Sequence, residues 1–198
     1  MGAGLSGPAR AFAAYDRLLT RRPLLGNCAT AGVLGFGGDV ICQRYVEGAP
    51  STDWRRCWTL TSFCAAYHGA CCYYIYSTYD HVLPKAALST LLRTGVSKAL
   101  LDTCVHLPFL YVPAFYVYVG LLQQQQDLSG AIATLRQEWF ETTTGCFVFW
   151  GPFDVMMFSV VPVHWRIPFM CSGCLVWNVY LSSCSMAGAP KEPSKDTP

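Results

Sequence analysis

An all-α, polytopic transmembrane helical bundle is the fold this sequence predicts, and three observations carry it. Residues 57–79, 103–126 and 167–189 contain no Asp, Glu, Lys or Arg, and 142–163 contains only Asp154. Each run is long enough to cross a hydrocarbon core of about 30 Å, which takes ~20 helical residues. The chain of 198 residues is 53% hydrophobic and 13% charged, against about 25% charged in a soluble domain. A soluble helix keeps a wet face, which runs without charge do not supply. Finally, the short alternating segments of a membrane β-barrel, each ~10 residues long, are not visible. The expectation is four spans in a single embedded domain over 23–188. A basic flexible leader (1–22) precedes it and a disordered polar tail (189–198) follows. The proline-interrupted stretch 142–163 is the candidate for an extra segment.

The leader carries Arg10, Arg17, Arg21 and Arg22 against Asp16. That charge fits a membrane flank or a mitochondrial address. Met1 to Ser6 also satisfies the minimal pattern for lipidation of Gly2, as a Gly/Ala-rich start does by chance. Pro23 then suits a first helical turn, so span one is expected over 24–45. Span two, over 54–79, has Trp54 and Trp58 at one end and a tyrosine cluster toward the other, where amphipathic rings favour the headgroup layer. Residues 80–88 read as a connector marked by Pro84. Span three is expected over 89–122, bent by Pro108 and Pro113. A polar connector, 123–141, follows, and its second half, 128–140, reads as a helix lying along the interface. Gly151-Pro152 is expected to break the next segment, and the final span covers 166–186. Lys and Arg near the span ends favour the leader and 80–98 on one side of the membrane.

The 11 cysteines lie mostly inside the apolar runs and read as small buried hydrophobes. Cys171-Ser172-Gly173-Cys174 has the spacing of a redox pair but not the strand–helix setting that such chemistry uses. Four separated histidines offer no compact zinc set. No nucleophile elbow, phosphate loop or dinucleotide fingerprint is present. No enzyme, cofactor or metal site is therefore expected, and the scattered bases do not fit nucleic acid.

Inside lipid the informative side chains are the polar ones, because they are expensive there. Gly35, Asp39 and Gln43 recur four apart and share a helix face with Ala31. Small residues let helices approach closely, and the carboxylate then accepts hydrogen bonds across the contact. That strip reads either as the lining of a path or as packing, with Asp39 near enough to the headgroups to be solvated. Lys98, Asp102 and His106 share another face, where Lys98 and Asp102 are expected to pair within the helix. Pro108 frees a carbonyl near them. Asp154, beside the Pro152 break, reads either as a partner for Arg166 across the turn at Pro162 or as a carboxylate where broken, membrane-embedded backbone holds a cation. Trp177 and Asn178 can donate hydrogen bonds between helices.

These motifs, in this order, are similar to the Mpv-seventeen family, also called the peroxisomal membrane proteins of twenty-two kilodaltons. The resemblance covers residues 15–182. It rests on Arg22-Pro23, the glycine-rich stretch 32–39 with Gly35, Gly38 and Asp39, then Gln43, and Asp53 with Arg56. Lys98, Asp102 and Pro108 continue it. The terminal signature is Phe149-Trp150-Gly151-Pro152-Phe153, Phe158, Val161-Pro162-Val163-His164, Arg166 and Trp177-Asn178-Val179-Tyr180. Ala70, Tyr73 and Ile75 depart from the family's proline, histidine and tryptophan, Thr103 and Asp154 from its glutamines, and Met157 from its asparagine.

The resemblance implies a multi-span protein of an organelle membrane, the mitochondrial inner membrane first and the peroxisome as alternative. It also implies a low-selectivity channel or metabolite pore. Two readings follow. One is a passive channel for small solutes, with Asp39, Gln43, Lys98, Asp102, His106, Asp154 and Arg166 as its polar network. The other is a non-conducting organiser in which those groups fix helix register. The expected partners are membrane lipids and small metabolites or ions. Small residues and cysteines also permit a homo-oligomer.

Overall fold

The computed structural model describes residues 7–83 and 91–188, and the side chains of all of these except 91–92 and 180–188. The lipidation pattern at Gly2, Pro84 in the first connector and the polar tail lie outside the described residues. Among the described residues six helices form the fold: α1 (Gly7–Arg21), α2 (Pro23–Val46), α3 (54–82), α4 (91–122), α5 (Leu128–Val160) and α6 (Arg166–Gly188). A single 3₁₀ turn, Val163–Trp165, links the last two.

Residues of the basic leader make α1, which ends where Arg22 leaves helical geometry (φ −136°, ψ 64°) and Pro23 restarts the helix. At α3, the Asp53 side chain accepts the Arg56 amide as N-cap. At α5, Asp127 accepts the Gly130 amide and the Ser129 hydroxyl. Those two bonds hold the exposed Asp127 carboxyl below its ordinary pKa.

Two helices, Pro23–Val46 and Arg93–Leu122, are long and apolar enough to cross a membrane. The sequence expectation of four such spans is therefore only partly met by composition. Residues 57–79 are free of charge but rich in Ser, Thr, His and Tyr, and freedom from charge is not the same as hydropathy. Val105, Phe109 and Leu110 on α4 and Val33 on α2 are exposed, so these two helices imply contact with lipid.

Three helices contain π-helical stretches, at Cys42–Val46, Cys64–Cys71 and Asp102–Tyr111. The last of these carries Pro108. Proline lacks the amide needed by an α-helical ladder, and the wider hydrogen-bonding pattern carries α4 through it. The Pro108 carbonyl accepts Trp139 Nε1 at 2.8 Å.

Two expectations are corrected in α5. Gly151-Pro152 does not break it, and 128–140 is not a separate interfacial helix, because one helix runs from Leu128 to Val160. Proline removes one backbone hydrogen bond, and the packing of Trp150, Met157 and Phe158 into the core holds the helix together on both sides of that gap.

Helices pack closely where glycine allows it. A Cβ on Gly69 of α3 would lie 2.5 Å from the Cα of Cys28 on α2, and one on Gly35 would lie 2.9 Å from Cys64. Gly95 and Gly120 similarly seat α4 against Ser159 and Ala131 of α5. Helix α6 packs across α2 and α5, with Gly38 meeting Leu175 and Gly173 meeting Phe153.

The connections alternate between two ends of the bundle. At one end, Asp16 of α1 meets His164 and Trp165 at 3.1 and 3.0 Å, and Asp80 of α3 meets Arg166. At the other, Arg55 donates to the Leu122 carbonyl at 2.7 Å.

Candidate functional site

The buried Asp, Lys, Arg and His residues, with Gln43, fall into three groups. The first staples α2 to α3. Asp39 is 1% exposed, accepts Gln43 Nε2 at 2.7 Å and faces Arg56 Nε at 2.7 Å. Arg56 also grips Glu47 through two bonds of 2.9 and 3.0 Å. Gln43 Oε1 accepts the Asp53 amide at 2.7 Å, closing the loop between the helices. Asp39 is thus satisfied by protein groups and not by headgroup solvation as one sequence reading held. The i, i+4 strip of Gly35, Asp39 and Gln43 is real, and its cationic partner comes from the next helix.

The second group gathers Asp80, Lys98 and Arg166. Asp80 accepts Lys98 Nζ and takes Arg166 Nη1 on both oxygens at 3.0 and 2.9 Å. Lys98 and Arg166 are each 1% exposed. Both expected pairings are corrected here. Lys98 does not pair with Asp102, and Arg166 does not pair with Asp154. Sequence spacing offers Lys98 a partner on its own helix, whereas the fold brings a carboxylate from α3 between the two cations. The Arg166 guanidinium also lies 5.2 Å from the Phe158 ring centroid, a cation–π contact.

The third group surrounds a cavity of about 30 Å³ at the centre of the bundle. Helix α3 contributes His68, Cys72 and Tyr76; α4 contributes Asp102, His106 and Tyr111; α5 contributes Trp150 and Asp154. Met170 and Cys174 of α6 complete the wall. Asp102 Oδ1 accepts Tyr79 Oη at 3.1 Å and contacts His106 Nδ1 at 2.8 Å. His106 Nε2 lies 3.0 Å from Tyr67 Oη. Thus Asp102, His106 and Asp154 line one cavity, Lys98 and Arg166 meet at Asp80, and Asp39 with Gln43 belongs to the α2–α3 contact.

Asp80, Tyr67, Tyr79 and His68 were not singled out by the sequence reading. Tyr76, Tyr79 and Asp80 have helical spacing at the end of span two, and that signal could have found Asp80. The structural motif residues act mainly through packing. Trp177 packs on Phe149 with the rings tilted and their centroids 5.1 Å apart, and Trp150 lines the cavity. Cys171 and Cys174 are both free thiols. Among the described residues no group of His, Cys, Asp and Glu is arranged to hold a metal ion.

The terminal signature gathered around Trp150, Asp154 and Arg166 is also where comparison with known proteins is decisive. Residues 120–182 match the family described as Mpv17 / PMP22. The chain is 29% identical over 181 residues to Protein SYM1 of Debaryomyces hansenii, covering 85% of each. The chain matches the Mpv17/PMP22 family. It is 28% identical over 171 residues to the mitochondrial inner membrane protein Mpv17 of Rattus norvegicus, covering 85% of this chain and 94% of the relative. The Mpv17-like protein of Bos taurus is 25% identical over 175 residues, with 88% and 84% coverage. No solved structure matches the chain. The family segment holds Asp154 and Arg166 themselves, while Asp39, Lys98 and Asp102 precede it.

Proposed function

We propose that this protein is a channel-like component of an organelle membrane that permits passive movement of small solutes or metabolites. The mitochondrial inner membrane is the favoured location, on the names of the Mpv17 relatives, and the peroxisomal membrane is the alternative. In this reading α2, α3, α4 and α6 are the four crossings, and α5 is the additional membrane segment.

The observation that carries the proposal is the polar ladder on α4. Lys98, Asp102 and His106 occupy successive turns, all are buried, and the lower two face the central cavity. Charged and titratable groups at membrane depth mark substrate or ion pathways more often than they serve packing. A solute entering beside Asp80 would exchange part of its hydration for Asp102, His106 and the tyrosine hydroxyls. The route then meets Phe63, Tyr67, Tyr111 and Phe115, whose rings pack within 5.2–6.1 Å of one another. This aromatic cluster separates the cavity from the Asp39 end and is the gate that conduction must displace.

The test is flux of small solutes and ions through purified protein in sealed liposomes, beside an Asp102→Asn preparation of equal yield and helicity. Flux in the parent with altered selectivity in the variant supports the path. A well-folded parent that passes nothing, across membrane potential and pH, sinks it. A second reading, a non-conducting membrane organiser, is favoured by one feature: Asp39 with Arg56 and Asp80 with Arg166 are ion pairs that tie helices together. An organiser would lose stability or partners on Asp102→Asn with no change in flux.

A further inference from the structure

Asp102 and Asp154 reach the same small cavity from α4 and α5. Two ionised carboxylates lining so small a space can only accept hydrogen bonds, and their like charges repel. The surrounding groups are Tyr67, Tyr76 and Tyr79 with His68 and Cys72 from α3, His106 and Tyr111 from α4, and Cys174 from α6. Among the described residues no lysine or arginine lines the cavity. Lys98, one turn above Asp102, is held by Asp80.

The hydrogen bonds decide which carboxyl keeps the proton. Asp102 Oδ1 receives the Tyr79 hydroxyl. His106 Nδ1 lies 2.8 Å from the same oxygen, and the tautomer with its proton on Nδ1 and Nε2 accepting from Tyr67 supplies a second donor there. Two donors stabilise a carboxylate. Asp154 is 1% exposed, and neither of its oxygens meets an N–H or O–H donor among the described residues. A bare carboxylate in that position is costly.

We propose that Asp154 is a carboxylic acid whose O–H donates to the ionised Asp102 across the α4–α5 contact, making the cavity a proton-binding site. Trp150 lines the same cavity, and its buried Nε1–H has no acceptor among the described residues. Water fits it well. The volume of about 30 Å³ admits one or two molecules, able to accept from Trp150 and donate to the second Asp154 oxygen. The shared proton and the water are a property of the closed bundle, and both stand whether or not any solute passes.

The test is infrared spectroscopy of the full chain in lipid vesicles at neutral pH, with and without carbon-13 aspartate. The expected result is a protonated-carboxyl C=O stretch that moves with the isotope and shifts down in D₂O through exchange by cavity water. It should vanish in Asp154→Asn, whose amide N–H can still donate to Asp102 and keep the fold. No such band in the parent, or its survival in Asp154→Asn, overturns the proposal. Should Asp154→Asn fail to accumulate, Asp102→Asn serves instead. There the acceptor changes from carboxylate to amide, so the band must change frequency, and an unmoved band is equally fatal.

Discussion

Asp80 holds two buried cations with one carboxylate, so its removal should cost more than any single surface ion pair. Its own side chain is 26% exposed, whereas Lys98 and Arg166 are 1% exposed. Stranding a buried charge costs about 3–5 kcal/mol, and partial solvation of the site places Asp80→Asn near the lower figure. Unfolding in detergent should show a loss of about 3 kcal/mol. Asp16→Asn at the half-exposed His164 contact should change stability by only about 0.5 kcal/mol. Equal losses would refute this account of Asp80. Spacing could place Asp80 on a helix but not pair it with Lys98 and Arg166. The i, i+4 rule offers Lys98 only Asp102, and Asp80 stands where the sequence reads as connector. Asp39 shows the converse. Its own helix supplies Gln43 at the expected interval, yet Arg56, which neutralises it, arrives through a turn that spacing does not encode.

At the scale of the helix, boundaries were legible and interruptions were not. The expected spans 24–45, 54–79 and 166–186 lie inside observed helices, because Pro23, the Asp53 cap and Pro162 are local signals. The continuity of α5 through Pro152 depends on neighbours, and so does the π-helical register of α4 around Pro108. Glycine at helix contacts is similarly tertiary information. Gly69 and Gly37 look alike in sequence, but only Gly69 touches another backbone, while a Cβ on Gly37 meets nothing within 4 Å. Gly69→Ala should therefore push α3 off α2 and cost about 1–3 kcal/mol. Gly37→Ala should be neutral or slightly stabilising, since alanine is the better helix former. Thermal unfolding of the two variants checks the contrast, and a tolerated Gly69→Ala would show that the α2–α3 contact is looser than described.

For the whole molecule, the alternation of connections fixes an expected topology. Helices α2 to α6 run up and down in turn. The leader therefore sits with the 161–165 turn, and the far end of α6 sits beside Cys42–Val46 of α2. With α5 as a crossing, the two termini lie on opposite faces of the membrane. Protease protection of a tag at each end should reveal one tag in sealed organelles and the other only after permeabilisation. Simultaneous exposure of both tags would mean that α5 does not cross. The class of the fold was legible from charge-free runs, which report what each segment avoids. The arrangement was not, since it depends on which faces meet. One long contact has a further consequence during synthesis. Asp16 binds His164 and Trp165, which lie 148 and 149 residues downstream, and Phe12 stacks on Trp165 at 5.1 Å. Helix α1 can join Tyr15 to Thr30 of α2 early but meets its Asp16 and Phe12 partners only late, so a nascent chain keeps that face of α1 open until translation has passed Trp165.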